Sequence, residues 1–362
     1  MKILHVITTL DIGGAERLMV DLLPLLQQNG NQVDLLLFNG VDTPFKEELM
    51  RKGVHIYQLS CWKGIKHHYE VYNPINIFRL KKYLKKYDII HTHNTACQLY
   101  VALAVLLQNA KSKLVTTEHN TFNRRRSLKW FKKIDRWIYN NYSSIVCISE
   151  QTRRNLSDYI GNSGKIITIH NGVNISRFLK PISVISKKSN YVISMISAFR
   201  KQKDHETLLR AVSRLPNNYR LQLAGRDFDE KVPALKQMCV DLGIQNQVDF
   251  LGARSDVPEL LEKSDVVVLS SHWEGFGLAA VEAMASGRPL VASDVGGLRD
   301  VVRGAGVLFP QGDDKELAVK IQWLCEHPDE YHEIAERCQE RAKRYDITVM
   351  AENYSNLYKS IV

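Results

Sequence analysis

The chain has 362 residues, 44% of them hydrophobic and 24% charged, with a formal net charge of +10. That length exceeds one ordinary core and points to two domains, while the composition excludes a disordered or collagen-like chain. No strictly apolar run approaches the roughly 20 residues of a membrane-spanning helix, and the cysteines are scattered without a CxxC pair, which argues against disulfides or zinc and for a reducing cytoplasm.

In chain order, MKILHVITTL is a short apolar run followed at once by Asp11 and a glycine pair. It reads as a first strand over 2–8, not as a secretory leader, which needs a longer apolar region and a small-residue cleavage site. Gly13 and Gly14 open a helical pattern but lack the third glycine of a GxGxxG fingerprint. Two readings stand: a tight turn, or close backbone approach to a phosphate or sugar. Strand-like runs follow at 32–38, 88–93, 113–119, 144–149 and 165–170, with helix-patterned sequence between them. His93 and His119 end two of these runs, where ligands of parallel sheets sit. A single histidine is more often structural, and two of them do not make a metal site.

The positive charge is concentrated early. Residues 1–185 carry 26 Lys and Arg against 13 Asp and Glu, a net of +13, whereas residues 186–362 net −3. The run NRRRSLKWFKKIDRWIYNN (123–141) carries Trp130, Phe131, Ile134, Trp137 and Ile138 at spacings of three and four. Arg124, Arg125, Arg126, Lys132 and Lys133 surround that stripe. Aromatics among cations on one helix suit an anionic headgroup layer; the alternative is that the tryptophans enter the core and the cations are merely solvated. A second basic run, RLKKYLKKY, occupies 79–87. Neither matches a nucleic-acid readout motif, and no nucleic-acid partner is expected.

After a polar stretch at 179–190, expected to be a linker, a second series of strand-like runs begins at 191–197 and continues at 220–225, 247–252, 265–271, 289–293 and 306–309. Strands alternating with helices twice over predict two doubly wound, parallel α/β domains, residues 1–180 and 187–346, facing a cleft. The final segment, 347–362, has apolar residues at Val349, Met350, Tyr354, Leu357, Tyr358 and Ile361, a helical stripe that needs a partner.

Two stretches of the second half carry chemistry. Arg200, Lys201 and Lys203 precede a helix and suit a diphosphate, or else a solvated loop. In WEGFGLAAVEAMASGRP (273–289), a buried strand leads through a glycine turn into a helix that Gly287 and Pro289 end. Amides at the start of that helix form an anion site, and Glu274 and Glu282 flank it as acceptors for hydroxyls. An anion and a polyol together suggest a sugar phosphate or nucleotide sugar; the bland reading is one of many strand–glycine–helix turns that bind nothing. Asp227-Phe228-Asp229 matches the Asp-x-Asp of metal-dependent sugar transferases, but its place after a strand and before a helix favours turn carboxylates.

Together these pieces resemble one family, the retaining glycosyltransferases of family 4 with the two-domain GT-B fold. The hallmark is Glu274-GFGLAAV-Glu282; DIGGAE, TEHN, ISE, HNGVN, RKQKDHETLLRA and FLGARSDVPELL support it in the family's order across nearly the whole chain. The resemblance implies a nucleoside-diphosphate sugar donor, UDP favoured over GDP, and no cofactor or metal. It implies that Glu282 binds the donor ribose, that Glu274 contacts the transferred sugar with Gly275, Phe276 and Gly277, and that the amides of Leu278 and Ala279 hold the diphosphate. Gly13 and Gly14 approach that diphosphate, His119 sits beside the sugar, and Arg254 lines the base pocket. Lys203 matches one of the family's two cations on the leaving group. The usual arginine position is Ala198, with Arg200 as its substitute, and Asn174 stands where the family has Asp. The resemblance also implies that the final helix crosses back to the N-terminal domain. An anionic membrane surface and a lipid-linked or glycan acceptor, as in capsule or lipopolysaccharide assembly, complete the expectation of an enzyme at the cytoplasmic face of the membrane. A GT-B epimerase or phosphorylase, and a silent nucleotide-sugar-binding subunit, are the rival readings.

Overall fold

The computed structural model describes residues 1–11, 13–61, 70–119, 126, 131–186 and 188–362. They form two compact units, Met1–Gly172 with Ile347–Val362, and Val173–Asp346.

The first unit is built on a seven-stranded sheet of order β3-β2-β1-β4-β5-β6-β7. The strands are β1 (Lys2–Ile7), β2 (Gln32–Asn39), β3 (His55–Ser60), β4 (Ile89–Thr92), β5 (Lys113–Glu118), β6 (Ser144–Cys147) and β7 (Ile166–Thr168), all paired in parallel. Helices cover both faces, which is why β1 and β2 read as mostly apolar runs. Among them are α1 (Gly14–Gln28), α2 (Pro44–Arg51), α3 (Asn76–Leu84), α4 (Thr95–Gln108), α5 (Phe131–Asn140) and α6 (Glu150–Ile160). The last helix of the chain, Ile347–Ile361, belongs to this unit. Its Met350, Ala351, Tyr354 and Tyr358 share a core with Ile3 and Ile7 of β1, Ile89 of β4 and Met19 and Leu23 of α1. Val349 falls off the stripe and is 38% exposed.

The second unit carries a six-stranded parallel sheet of order β10-β9-β8-β11-β12-β13. Its strands are β8 (Tyr191–Ile196), β9 (Tyr219–Ala224), β10 (Val248–Gly252), β11 (Val266–Leu269), β12 (Leu290–Ser293) and β13 (Val307–Phe309). Helices α7 (His205–Val212), α8 (Val232–Asp241), α9 (Val257–Glu262), α10 (Leu278–Ala285), α11 (Gly296–Val302), α12 (Asp314–Glu326) and α13 (Pro328–Lys343) connect and follow them, and Ile347–Ile361 is α14 in this numbering.

The stretch at 179–190 is laid against this second unit. Phe178 and Ile185 are buried. The Lys180 carbonyl accepts from Gln339 at 2.8 Å, and the Ser183 amide donates to Gly287 at 3.1 Å. The chain enters the second unit at Val173, upstream of the polar run, because apolar residues spaced through that run find a core to enter.

Candidate active site

The second unit assembles one cluster at the carboxyl ends of β8 and β11. Leaving β8, the chain makes a short 3-10 turn over Lys201–Lys203 and enters α7 through Asp204, whose φ of +50° is left-handed. Asp204 caps the helix, accepting from the Thr207 amide at 3.2 Å and its hydroxyl at 2.6 Å. Ser270, at the end of β11, donates to the Asp204 carbonyl at 2.8 Å and ties the two loops together. This arrangement directs Lys203 onto the Glu274 carboxylate as an ion pair. Glu274 also accepts from the Ser271 hydroxyl at 2.9 Å and from Gln202 at 3.4 Å, while Gln202 donates to the Trp273 carbonyl at 2.8 Å. The Glu274 side chain is only 10% exposed and that of Lys203 18%, so solvent screens their interaction weakly.

Gly277, at φ +95°, turns the chain into α10. The amides of Ala280 and Val281 both reach the Gly277 carbonyl, so those of Leu278 and Ala279 lie ahead of any helical acceptor. Glu282 follows one turn later and is half-buried. Phe276 is buried and meets Tyr345 edge-on at 5.3 Å, which anchors the turn. The turn is clamped from behind by α11: a side-chain carbon on Gly297 would stand 2.6 Å from the Glu274 carbonyl oxygen.

The other expected donor-site residues have contacts of their own. The Arg200 guanidinium lies over the Phe228 ring at 4.2 Å, with Arg226 over the same ring at 4.8 Å. The described contacts therefore hold Arg200 to the 227–229 turn and not to Glu274. Asp227 accepts from the amides of Lys231 and Val232 at 2.9 and 3.0 Å, so this carboxylate closes a turn ahead of α8. Arg254 forks onto Asp256 with bonds of 2.8 and 2.6 Å and is exposed. In the first unit, Gly13 caps α1 and Gly14 is its first residue. A side chain at Gly13 would meet the Glu16 carboxylate at 2.3 Å, and burial, with Asp11 nearby, pushes the Glu16 carboxyl above its ordinary range.

His119 and His93 come together in the first unit. They line a cavity of about 310 Å³ with Thr8, Asn94, Gln98, Thr117 and Glu118 at the carboxyl edge of β4 and β5. His93 is buried and His119 half-buried, with His93 Nδ1 3.2 Å from His119 Nε2. Behind them stand His5 and His91, which the sequence reading did not single out. Paired Cα positions put His5 beside His91 across β1 and β4, and alternate residues share a face, so imidazoles at 5, 91 and 93 collect on one side of the sheet. The available signal was the His-Thr-His repeat in an otherwise apolar strand.

The basic segment differs most from expectation. Arg124, Arg125 and Trp130 lie outside the described residues. Arg126 is not a surface cation: its side chain is 9% exposed and pairs with the buried Glu118 at 3.0 Å, a carboxylate that also accepts from Tyr139 at 2.5 Å. A buried carboxylate at the end of β5 needs a counter-charge, and Arg126 supplies it. In α5, Asp135, Ile138 and Tyr139 face the core, whereas Ile134 and Trp137 are 39% and 42% exposed. Ile138 thus leaves the expected interfacial stripe. Lys132 lies 5.9 Å from the Tyr159 ring and Lys133 is exposed. Helix α3 and the second basic run bury Leu80, Tyr83 and Leu84; Ile75 just before the helix and Phe78 in its first turn are 47% and 62% exposed, and Lys81, Lys82, Lys85 and Lys86 are exposed.

Comparison with known proteins covers nearly the whole chain. Residues 12–177 match the model described as Glycosyltransferase Family 4, and residues 177–345 match Glycosyl transferases group 1. Similar proteins include the N-acetyl-alpha-D-glucosaminyl L-malate synthase of Bacillus anthracis, 22% identical over 97% of this chain and 95% of its own length. The Escherichia coli UDP-Gal:alpha-D-GlcNAc-diphosphoundecaprenol alpha-1,3-galactosyltransferase is 24% identical over 84% of this chain and 82% of its own. Among solved structures, Anabaena HepE in complex with UDP and glucose superposes with a TM-score of 0.85 at 24% identity, covering 99% of this chain and 100% of its own. Sucrose-phosphate synthase from Thermosynechococcus elongatus superposes at 0.81 and 20% identity, covering 99% of each chain. These likenesses show the GT-B fold.

Proposed function

Because this chain belongs to the group 1, family 4 glycosyltransferases, we propose that it moves a hexose or N-acetylhexosamine, with retention at the anomeric carbon, from a UDP-sugar to a lipid-linked sugar. The observation that carries this reading is the Lys203–Glu274 pair set beside the open amides of α10. In the proposed step the bond from the anomeric carbon to the β-phosphate oxygen breaks. The acceptor hydroxyl oxygen bonds that carbon on the same face, and its proton passes to the departing phosphate. Charge develops on the diphosphate, where the Lys203 ammonium and the amides of Leu278 and Ala279 stabilise it. Glu274 orients the ammonium and receives sugar hydroxyls, Glu282 receives the ribose, and His119 is assigned as a further acceptor for a sugar hydroxyl. Arg200, held over Phe228, is assigned to the rim of the site. Names among the relatives support the substrate classes: one uses UDP-Gal with a diphosphoundecaprenol-linked acceptor, and another is a diphospho-undecaprenol N-acetylgalactosaminyltransferase. A panel of nucleotide sugars, read by thermal shift and by slow donor hydrolysis, tests the assignment. UDP-sugars are expected to raise the melting temperature and to be hydrolysed; a response to GDP-sugars alone overturns the donor.

Catalysis is proposed to run without a metal, since the charge on the leaving group is met by Lys203 and backbone amides. Activity is therefore expected to persist in EDTA. Its complete loss on chelation, restored by manganese or magnesium, overturns the point.

We place the enzyme at an anionic cytoplasmic leaflet. No helix among the described residues is long and apolar enough to cross a membrane. The exposed Ile75 and Phe78 amid Lys81, Lys82, Lys85 and Lys86 instead suit headgroup contact, each lysine contributing about 1 kcal/mol. Co-sedimentation with liposomes is expected to need anionic lipid, to fall with salt, and to drop when those four lysines become Ser. Equal binding to neutral and anionic vesicles at low salt overturns it.

A further inference from the structure

The imidazoles behind the first-unit cavity form one hydrogen-bonded series running under α14. His119 Nε2 lies 3.2 Å from His93 Nδ1, and His93 Nε2 lies 2.9 Å from His5 Nδ1. His5 Nε2 lies 3.4 Å from Tyr358 Oη, which is 2.6 Å from His91 Nδ1. His91 Nε2 lies 2.8 Å from Thr117 Oγ1, and that hydroxyl meets Tyr354 Oη at 2.8 Å. His5, His91, His93, Tyr354 and Tyr358 are all buried. Burial holds His5 down to about 3 and His119 to about 4, with His91 and His93 well below the ordinary histidine range. The rings are therefore uncharged at neutral pH.

A neutral imidazole carries one N–H and one bare nitrogen, so fixing one ring fixes the next. The 2.6 Å separation, the shortest in the series, points to the direction. It lies within the range of O–H donors and below that of N–H donors, so Tyr358 donates to His91 Nδ1. His91 then bears its hydrogen on Nε2 and donates to Thr117, whose own hydroxyl hydrogen is left to bond Tyr354 Oη. Tyr358 has only lone pairs left for His5, so His5 is Nε2–H. Its bare Nδ1 accepts from His93 Nε2–H, and the bare Nδ1 of His93 accepts from His119 Nε2–H. What remains is Nδ1 of His119, the one ring nitrogen of the four without a partner among the described residues.

We propose that Tyr358 of the C-terminal helix is a positioning residue that locks His5, His91, His93 and His119 as Nε2–H tautomers, so that the cavity is offered a bare Nδ1, an acceptor for a sugar hydroxyl. The sugar contact rests on the function proposed above; the tautomer lock does not. A metal is the competing use of this cluster, since ligating atoms of His5, His91 and His93 lie within 4.8 Å of one another. A metal would take a bare nitrogen from each ring at about 2.0–2.1 Å, and in the series those of His5, His91 and His93 each already accept a hydrogen.

The test is two-bond proton–nitrogen correlation NMR of the ¹⁵N-histidine-labelled full chain, with zinc content measured on the same sample. All four rings are expected to show a protonated Nε2 and a bare Nδ1, unchanged between pH 6 and 8. Tyr358→Phe is expected to release His91 and His5 into mixed tautomers, carry the mixture to His119, and reduce UDP-sugar hydrolysis about 5-fold, the equilibrium worth of one ordinary hydrogen bond. A hydrogen on His119 Nδ1, stoichiometric zinc with metal-shifted rings, or a Tyr358→Phe spectrum unchanged at these rings overturns the proposal. If the wild-type spectrum shows the Nε2–H set while His119→Ala hydrolyses donor at the full rate, the lock stands and the sugar contact of His119 fails.

Discussion

Lys203→Ala is expected to lower turnover by about 10²–10³-fold, the usual effect of removing one preorganised group from a developing oxyanion. The lysine is held by its pairing with Glu274, and Ser271 and Gln202 hold Glu274 in turn. Its charge is therefore in position before the leaving group departs and needs no reorganisation. Because the interaction strengthens only as the diphosphate separates, kcat is expected to fall with little change in KM. The same substitution strands a carboxylate that is 10% exposed, which costs about 1–3 kcal/mol of stability. A double variant, Lys203→Met with Glu274→Gln, separates the two effects. Replacing both partners restores most of that stability while activity stays lost. Steady-state kinetics on the responsive UDP-sugar and thermal unfolding of the three proteins check this. Unchanged kcat in Lys203→Ala would place the leaving-group charge elsewhere.

What was legible in the sequence follows from which signals are local. Glu274, the glycine turn and the helix start at Leu278 are contiguous, and the local geometry reads off their order. The strands buried on both faces were visible as apolar runs for the same reason. β3 was missed because its residues are half-buried or exposed at the sheet edge, so neither an unbroken apolar run nor strict alternation marks it. Arg126 was read as a surface cation because nothing local reveals that Glu118, eight positions earlier on a different element, is buried and in want of charge. Arg200 was set beside the leaving group by its place ahead of a helix and by the family resemblance, as the substitute for Ala198, and the ring it lies over, Phe228, arrives from the loop after β9. The histidine series needed the register of β1 against β4 and the return of the chain at α14, both long-range facts that one-dimensional periodicity does not carry.

Gly297→Ala is expected to cut kcat/KM about 10–100-fold although residue 297 bears no functional group. Within a helix this change ordinarily stabilises by about 1 kcal/mol. Here the new carbon would stand 2.6 Å from the Glu274 carbonyl oxygen, 2.8 Å from the Gly275 carbonyl carbon and 2.9 Å from the Gly275 oxygen. All three are backbone atoms, so no side chain can rotate away, and either α11 or the 274–277 turn must shift. Overpacking of this kind costs about 1–3 kcal/mol, leaving a net loss of stability small enough for the protein to stay folded. The functional loss is larger, because the same displacement moves Glu274, its hold on Lys203 and the first amides of α10 together, and misplacement near 1 Å costs about 10² in rate. Gly164→Ala is the control: nothing lies within 4 Å of its added carbon, and activity is expected to be unchanged. Parallel measurement of donor hydrolysis and melting temperature in both variants decides the matter. Full activity in Gly297→Ala would mean that the turn tolerates displacement, and that the clamp from α11 does not set the geometry of the Lys203–Glu274 pair.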